Sequence, residues 1–350
     1  MNKIHSSQLF AILMLSGAWS ILCIPQVQGS AMLAGILAAL GIQLLMSIPM
    51  LLLVRDGFSL SRTAAQKKWL GIIYLLFFLL WGAVGFSQLW EISAEIELPV
   101  SGSMAAAVLM VITCLYTCSL GLHAMARSAP LVLGILLLSV LVLLLGAYSR
   151  VDITRLTPPT DILPHTLSCF CLGGELTAAF VLLDRTAGKR KRAVLGYLLC
   201  KAAFAGLVCF LCICAAGRLA GRSPYPFFTL TALSQPLQSQ RADALYLLVF
   251  VMLFVMHITL HTGVIAHLLH DMFPRLRGAA PLSLVAMLLL SWGLSHILPA
   301  LVSISGVLTI LTAFAIPLLF YLNRRFTHET KAPAPPAPRT PDGMRNGTHQ

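Results

Sequence analysis

The sequence predicts an all-α polytopic membrane protein: ten transmembrane helices in a five-plus-five inverted repeat, with the first and sixth helices broken. Three observations predict it. Of 350 residues, 58% are hydrophobic and only 10% charged, and the mean hydropathy is +0.87, a balance foreign to water-soluble domains. The apolar residues fall into ten runs, each near the roughly 20 residues a helix needs to cross a bilayer. Two of these runs, heading the two halves, are interrupted by small residues at Ser16-Gly17-Ala18 and at Gly173-Gly174-Glu175. Paired interruptions at corresponding positions are the sequence mark of a transporter-type repeat with a site at mid-membrane.

The spans are expected at 8–27, 31–54, 69–90, 103–124, 129–148, 162–183, 193–216, 243–268, 281–298 and 300–321. The first follows Lys3 and so has the look of a secretory leader. No small-residue cleavage site follows it, and it is long enough to span, so it is read as a retained helix. The connections after the second and third spans set the orientation. Arg55, Arg62, Lys67 and Lys68 precede the third span, while Glu91, Glu95 and Glu97 follow it. With the N-terminus in the cytoplasm, eighteen Lys and Arg residues fall inside and five outside (Arg150, Arg155, Arg218, Arg222 and Arg241). That is the positive-inside pattern, and it places both termini in the cytoplasm. The formal net charge of +12 therefore belongs to membrane topology and gives no case for nucleic acid.

The fourth and fifth spans carry Arg127 between them. The sixth holds the glycine-glycine-acid break, and the seventh follows the basic cluster at 185–192 and carries Lys201. Tyr225-Pro226-Phe227-Phe228, among Pro224, Pro226 and Pro236, opens a short external segment that fits an aromatic interfacial belt. The eighth span carries His257, Thr259, His261 and Thr262. The ninth runs into the tenth with Pro299 between them, and the stretch from Thr327 to Gln350 is proline-rich, polar and expected to be disordered. Two domains of the chain are thus expected, 1–326 in the membrane and 327–350 as a cytoplasmic tail. The nine cysteines (Cys23, Cys114, Cys118, Cys169, Cys171, Cys200, Cys209, Cys212 and Cys214) lie in or beside apolar spans and read as small buried hydrophobes.

The ligand-binding candidates are Ser16, Gly17, Gly173, Gly174, Glu175, His257, Thr259 and His261. Glu175 is the sharpest. An acid at bilayer depth costs about 2.5–3.5 kcal/mol on insertion scales, so it faces the protein interior or a water-filled path. It is open to three roles: ligand ammonium partner, proton carrier, or a tie between helices. The small residues at the two breaks either free backbone groups for a ligand or let helices pack closely. Lys201 either snorkels to the cytoplasmic edge or pairs with Glu175. His257 and His261 share a helix face one turn apart and form either a proton relay or an interhelical hydrogen-bonded wall. His267 and His270 are assigned no role. No phosphate loop, nucleophile constellation or metalloenzyme motif occurs, so neither an enzymatic activity nor a cofactor or metal is expected.

Four regions together resemble a known family. They are Ser7-Gln8-Leu9-Phe10-Ala11 leading into the first span, Gly41 to Pro49 in the second, the Gly173-Gly174-Glu175 break, and Tyr225-Pro226-Phe227-Phe228 followed by Arg241-Ala242-Asp243-Ala244-Leu245. In order and spacing, across residues 7–325, the chain is similar to the B subunits of spore germinant receptors. These are endospore germination permeases of the amino acid–polyamine–organocation transporter superfamily. The resemblance implies a LeuT-like ten-helix fold in the spore inner membrane and a small-molecule germinant, often an amino acid. It implies a pocket between spans one, three, six and eight, and receptor A and C subunits as partners. Trp19, just after the first break, is bulky for such a pocket. A secondary amino acid transporter of the growing cell is the alternative, and a structural partner with a vestigial pocket is a third reading.

Overall fold

The computed structural model describes residues 3–24, 29–55, 57–95, 100–156, 158–159, 161–169, 173–234, 243–276, 278–293 and 306–329. Apart from a two-residue strand pair, its regular structure is helical. In chain order come β1 (Ile4–His5), α1 (Ser6–Leu22), α2 (Gly29–Arg55), α3 (Leu60–Gln66), α4 (Lys68–Glu95), α5 (Val100–Leu120) and α6 (Leu122–Ala147). There follow α7 (Ile162–Cys169), α8 (Gly174–Leu182), β2 (Thr186–Ala187), α9 (Arg190–Leu211), α10 (Arg218–Arg222) and α11 (Pro226–Leu233). The last are α12 (Asp243–Met272), α13 (Ala279–Gly293) and α14 (Ile316–Glu329).

Among the described residues, six helices are long and apolar enough to cross a membrane: Gly29–Arg55, Lys68–Ser93, Leu122–Arg150, Arg190–Ala216, Leu245–Met272 and Gly306–Arg325. Ser6–Leu22, Val108–Leu120 and Ala279–Gly293 are apolar but shorter. The chain is an all-α membrane protein. Its outward faces are greasy, as lipid requires. Leu131, Leu137, Leu138, Leu141 and Leu145 of α6 are exposed, as are Leu45 and Ile48 of α2.

The core forms around α1, which packs on α6, α8, α9 and α12. From Ala11 to Leu22 every side chain of α1 is buried. A helix that is apolar all round and buried all round is sheathed by protein rather than lipid. Its start is fixed at both levels of structure. His5 and Gln8 form a capping box, satisfying two of the N–H groups a helix start leaves open. Residues 4–5 also pair in parallel with 186–187, Ile4 opposite Thr186, which ties the N-terminus to the turn after α8.

The first expected break is absent. α1 runs as one helix through Ser16-Gly17-Ala18. Glycine weakens a helix by about 1 kcal/mol relative to alanine, yet the backbone here does not unwind. A Cβ at Gly17 would stand 3.4 Å from both Lys201 Cε and Tyr197 Cε2, so these long α9 side chains lie directly across the helix. The Ser16 hydroxyl bonds sideways to α12 and not to an unwound backbone. The sixth span is different. It is described as two helices, α7 and α8, flanking residues 170–172, and Gly173 (φ −100°, ψ 0°) caps the second. α7 packs on α2, whereas α8 packs on α1 and α12. The close seat of α7 depends on Gly35, where a Cβ would come within 2.7 Å of His165 Cβ and 2.9 Å of the His165 backbone.

Other expectations fare variously. Cys200 is exposed on α9 and Cys118 only half-buried. Cys171, Pro236, Arg241, Ala242 and Pro299 lie outside the described residues, as do residues 330–350, most of the expected tail; α14 itself continues to Glu329. Two π-turns carry no sequence signal, Cys212–Ala216 ending α9 and Leu311–Ala315 leading into α14. Widened turns leave carbonyls to be satisfied from elsewhere. The Arg155 guanidinium donates to the Cys214 and Ala215 carbonyls at 3.1 and 3.2 Å, and the Tyr74 hydroxyl donates to Thr312 at 2.7 Å.

Candidate functional site

α8 begins in mid-protein, so Glu175, in its first turn, is carried into the core. Every residue from Gly174 to Leu182 is buried. The Glu175 carboxylate is fully enclosed and holds three donors. Lys201 Nζ lies 2.8 Å from Oε2 with both side chains at 0% exposure, the Ser20 hydroxyl donates to Oε1 at 2.8 Å, and the Tyr197 hydroxyl reaches Oε2 at 3.3 Å. Lys201 Nζ also donates to the Tyr197 oxygen at 3.0 Å. Tyr197 and Lys201 are one turn apart on α9, so both meet the same carboxylate. The sequence left Lys201 between the membrane edge and a pairing with Glu175; it is paired.

Taking two charges out of solvent costs several kcal/mol per ion, and only close geometry with further hydrogen bonds offsets it. Here those bonds are supplied by Ser20 of α1 and Tyr197 of α9. The result joins α1, α8 and α9 through one ion pair.

The histidines meet α1 one turn before Ser20, where α1 packs on α12. Ser16 Oγ is 2.9 Å from His257 Nδ1. The His257 backbone carbonyl accepts from His261 Nδ1 at 2.7 Å, which assigns the proton to that nitrogen and leaves Nε2 as the acceptor of a neutral ring. That Nε2 is buried with no hydrogen-bond partner among the described residues, and so is the indole Nε1 of Trp19. Trp19 fills the space beside them, 4.4 Å from the Phe250 ring, 5.0 Å from Phe254 and 6.1 Å from His257, centroid to centroid.

The structure brings together Ser16, Gly17, Glu175, His257 and His261 around α1. Thr259 stands apart. Two residues from His257, it points away from that face, and its hydroxyl lies toward the Cys114 and Cys118 thiols of α5. Gly173 and Gly174 back onto the opposite side. A Cβ at Gly174 would collide with the Trp81 indole, and one at Gly173 would stand 2.6 Å from Thr309 Cγ2 and 3.1 Å from Gln43 Nε2.

That opposite side holds what the sequence did not disclose. Gln43 of α2 is fully buried, and neither end of its amide finds a partner among the described residues. Thr177 of α8 lies 3.0 Å from the Thr312 hydroxyl of the π-turn. α8 therefore has charge on one flank and hydroxyls and an orphaned amide on the other. A glutamine in mid-span is a visible oddity in sequence; which helix it would face is not.

No protein-family model matches the chain, and no curated protein matches it significantly. The likeness to germination permeases thus rests on the motifs quoted above. Of these, Tyr225 precedes α11, whose first residue is Pro226, and the Tyr225 hydroxyl donates to Glu91 at the end of α4.

Proposed function

We propose that this protein is the germinant-binding, permease-like subunit of a spore germination receptor. It would sense a small polar ligand such as an amino acid and act with receptor A and C subunits. We further propose that it has ten spans in a LeuT-like five-plus-five repeat, resides in the spore inner membrane and keeps both termini in the cytoplasm. The carrying observation is the enclosed Glu175–Lys201 pair, with Trp19 Nε1 and His261 Nε2, unpartnered among the described residues, where α1 meets α12. A ligand ammonium is an alternative partner for Glu175, displacing Lys201. The orphaned nitrogens offer one donor and one acceptor to its remaining polar groups. Unsatisfied buried polar atoms cost about 1–3 kcal/mol each, so a ligand that pairs them stabilises one packing of α1, α8 and α12 over another. Such differential affinity is what shifts a conformational equilibrium.

The test is germination of spores lacking the gene, across single amino acids, sugars and nucleosides. Loss of response to at least one germinant is expected; an unchanged response to all of them rules the receptor reading out. The second reading is a secondary amino acid transporter, in which the same buried ion pair would open and re-form in a cycle of binding and release. Concentrative, gradient-driven uptake by proteoliposomes would select it.

A further inference from the structure

A second feature lies at the other end of α8, away from Glu175. A cleft of about 490 Å³ opens there, lined by Lys3, Ser59, Ser61, Arg62, Asp184, Arg185, Arg190 and Asp271 among others. Four cationic side chains meet two carboxylates. Asp271 accepts from Arg185 at 3.1 Å through each oxygen. Asp184 Oδ2 accepts from the Ser59 and Ser61 hydroxyls at 2.5 and 2.7 Å, while its Oδ1 is buried without a hydrogen-bond partner among the described residues. Arg190 turns its Nε to the Thr186 carbonyl at 2.7 Å. Lys3 and Arg62 are exposed and have no carboxylate partner among the described residues. The excess positive charge is thus held on a concave wall built from segments far apart in sequence: β1, α3 and the turn between α8 and α9. The register of β1 on β2 fixes this, because pairing Ile4 with Thr186 sets Lys3 beside Arg185. α9 also begins in this wall, and its N-cap residue, Lys189, supplies no side-chain acceptor, so the positive end of the helix adds to the field.

We propose that this cleft is a binding site for a phosphate-bearing anion. Arg62 and Arg190 present guanidinium groups, whose forked donors match phosphate oxygens, and Lys3 contributes a mobile ammonium. The volume exceeds what a bare phosphate fills and accommodates a phosphoglycerol headgroup. Two sources share this chemistry: an anionic phospholipid of the adjoining leaflet and a soluble phosphate compound. An occupant would fasten β1, α3 and the α8–α9 turn together.

The test uses the full-length protein in neutral detergent, with thermal unfolding as the readout. The probes are phosphatidylglycerol in mixed micelles, phosphatidylcholine as the zwitterionic control, and inorganic phosphate against chloride at equal ionic strength. A rise in Tm with phosphatidylglycerol alone assigns a lipid headgroup; a rise with inorganic phosphate assigns a soluble anion. In either case Lys3→Gln/Arg62→Gln should fold with the wild-type Tm in the absence of probe and need roughly thirtyfold more probe for the same shift, following the usual worth of two basic residues near an anionic surface. Arg62→Gln alone should need roughly fivefold more. No rise with either phosphate-bearing probe, or an equal rise in wild type and variants, overturns the site. Neither outcome bears on germinant sensing, which is read in spores.

Discussion

Glu175 was conspicuous in sequence because an acid inside an apolar run is expensive, and that expense forces a partner. Lys201 was a candidate partner, but the choice between pairing and snorkelling was not legible. Lys201 is 26 residues away, and only the packing of α8 against α1 and α9 brings the two within 2.8 Å. The pair makes a sharp prediction. Glu175→Gln alone leaves a buried ammonium, and Lys201→Met alone leaves a buried carboxylate, so each should cost about 3–5 kcal/mol. Glu175→Gln/Lys201→Met removes both charges and should recover most of that loss. Thermal unfolding of the three variants gives the coupling, and additive losses would show that the two side chains do not depend on each other. The double variant is also the right probe of ligand response, since it separates loss of function from loss of fold. Gln43 calls for the opposite experiment. Its amide is buried without a hydrogen-bond partner among the described residues, so Gln43→Leu should leave thermal stability unchanged or raise it by about 1 kcal/mol or more, by removing an uncompensated desolvation. A marked drop in Tm would mean that the amide is satisfied in the membrane.

At the scale of elements, the long apolar helices were readable, because burial in lipid needs length and hydrophobicity and nothing subtler. The first break was misread, because small residues in a helix serve close packing as readily as unwinding, and sequence carries both meanings in the same letters. Gly17→Ala distinguishes them. In an unbroken α1 the new Cβ meets Lys201 and Tyr197 at ordinary contact distance, so the helix should gain up to about 1 kcal/mol of stability, seen as a higher Tm. If Gly17 instead needed backbone freedom, the same change would destabilise. Gly174→Ala should go the other way. Its Cβ would run into the rigid Trp81 ring, and overpacking costs about 1–3 kcal/mol. Trp81→Phe should relieve part of it, and the pair of substitutions, followed by thermal unfolding, reports how tightly α8 is held against α4. The π-turns escaped sequence reading for a different reason. An extra residue in a helical turn is fixed by its tertiary acceptors and donors, here Arg155 and Tyr74, and not by local preference.

For the whole molecule, the distribution of Lys and Arg predicts that a fluorescent reporter fused after Gln350 glows and that an exported phosphatase fused there is inactive. The reverse pattern would invert the topology and place the phosphate cleft outside. The central position of α1 has a consequence in time. It is synthesised before its companions α6, α8, α9 and α12, and Ser16 bonds a histidine 241 residues downstream. At about 5–20 residues per second, that bond waits roughly 12–50 s. Meanwhile a 17-residue helix, roughly 26 Å long at 1.5 Å per residue, stands in the bilayer with Ser16 and Ser20 lacking their final partners. Those hydroxyls can fold back on the preceding turn, while Trp19 faces lipid. A photocrosslinker replacing Trp19 should therefore capture lipid in chains halted near residue 240 and capture α12 in finished ones. The innermost helix of the protein begins its existence as the outermost.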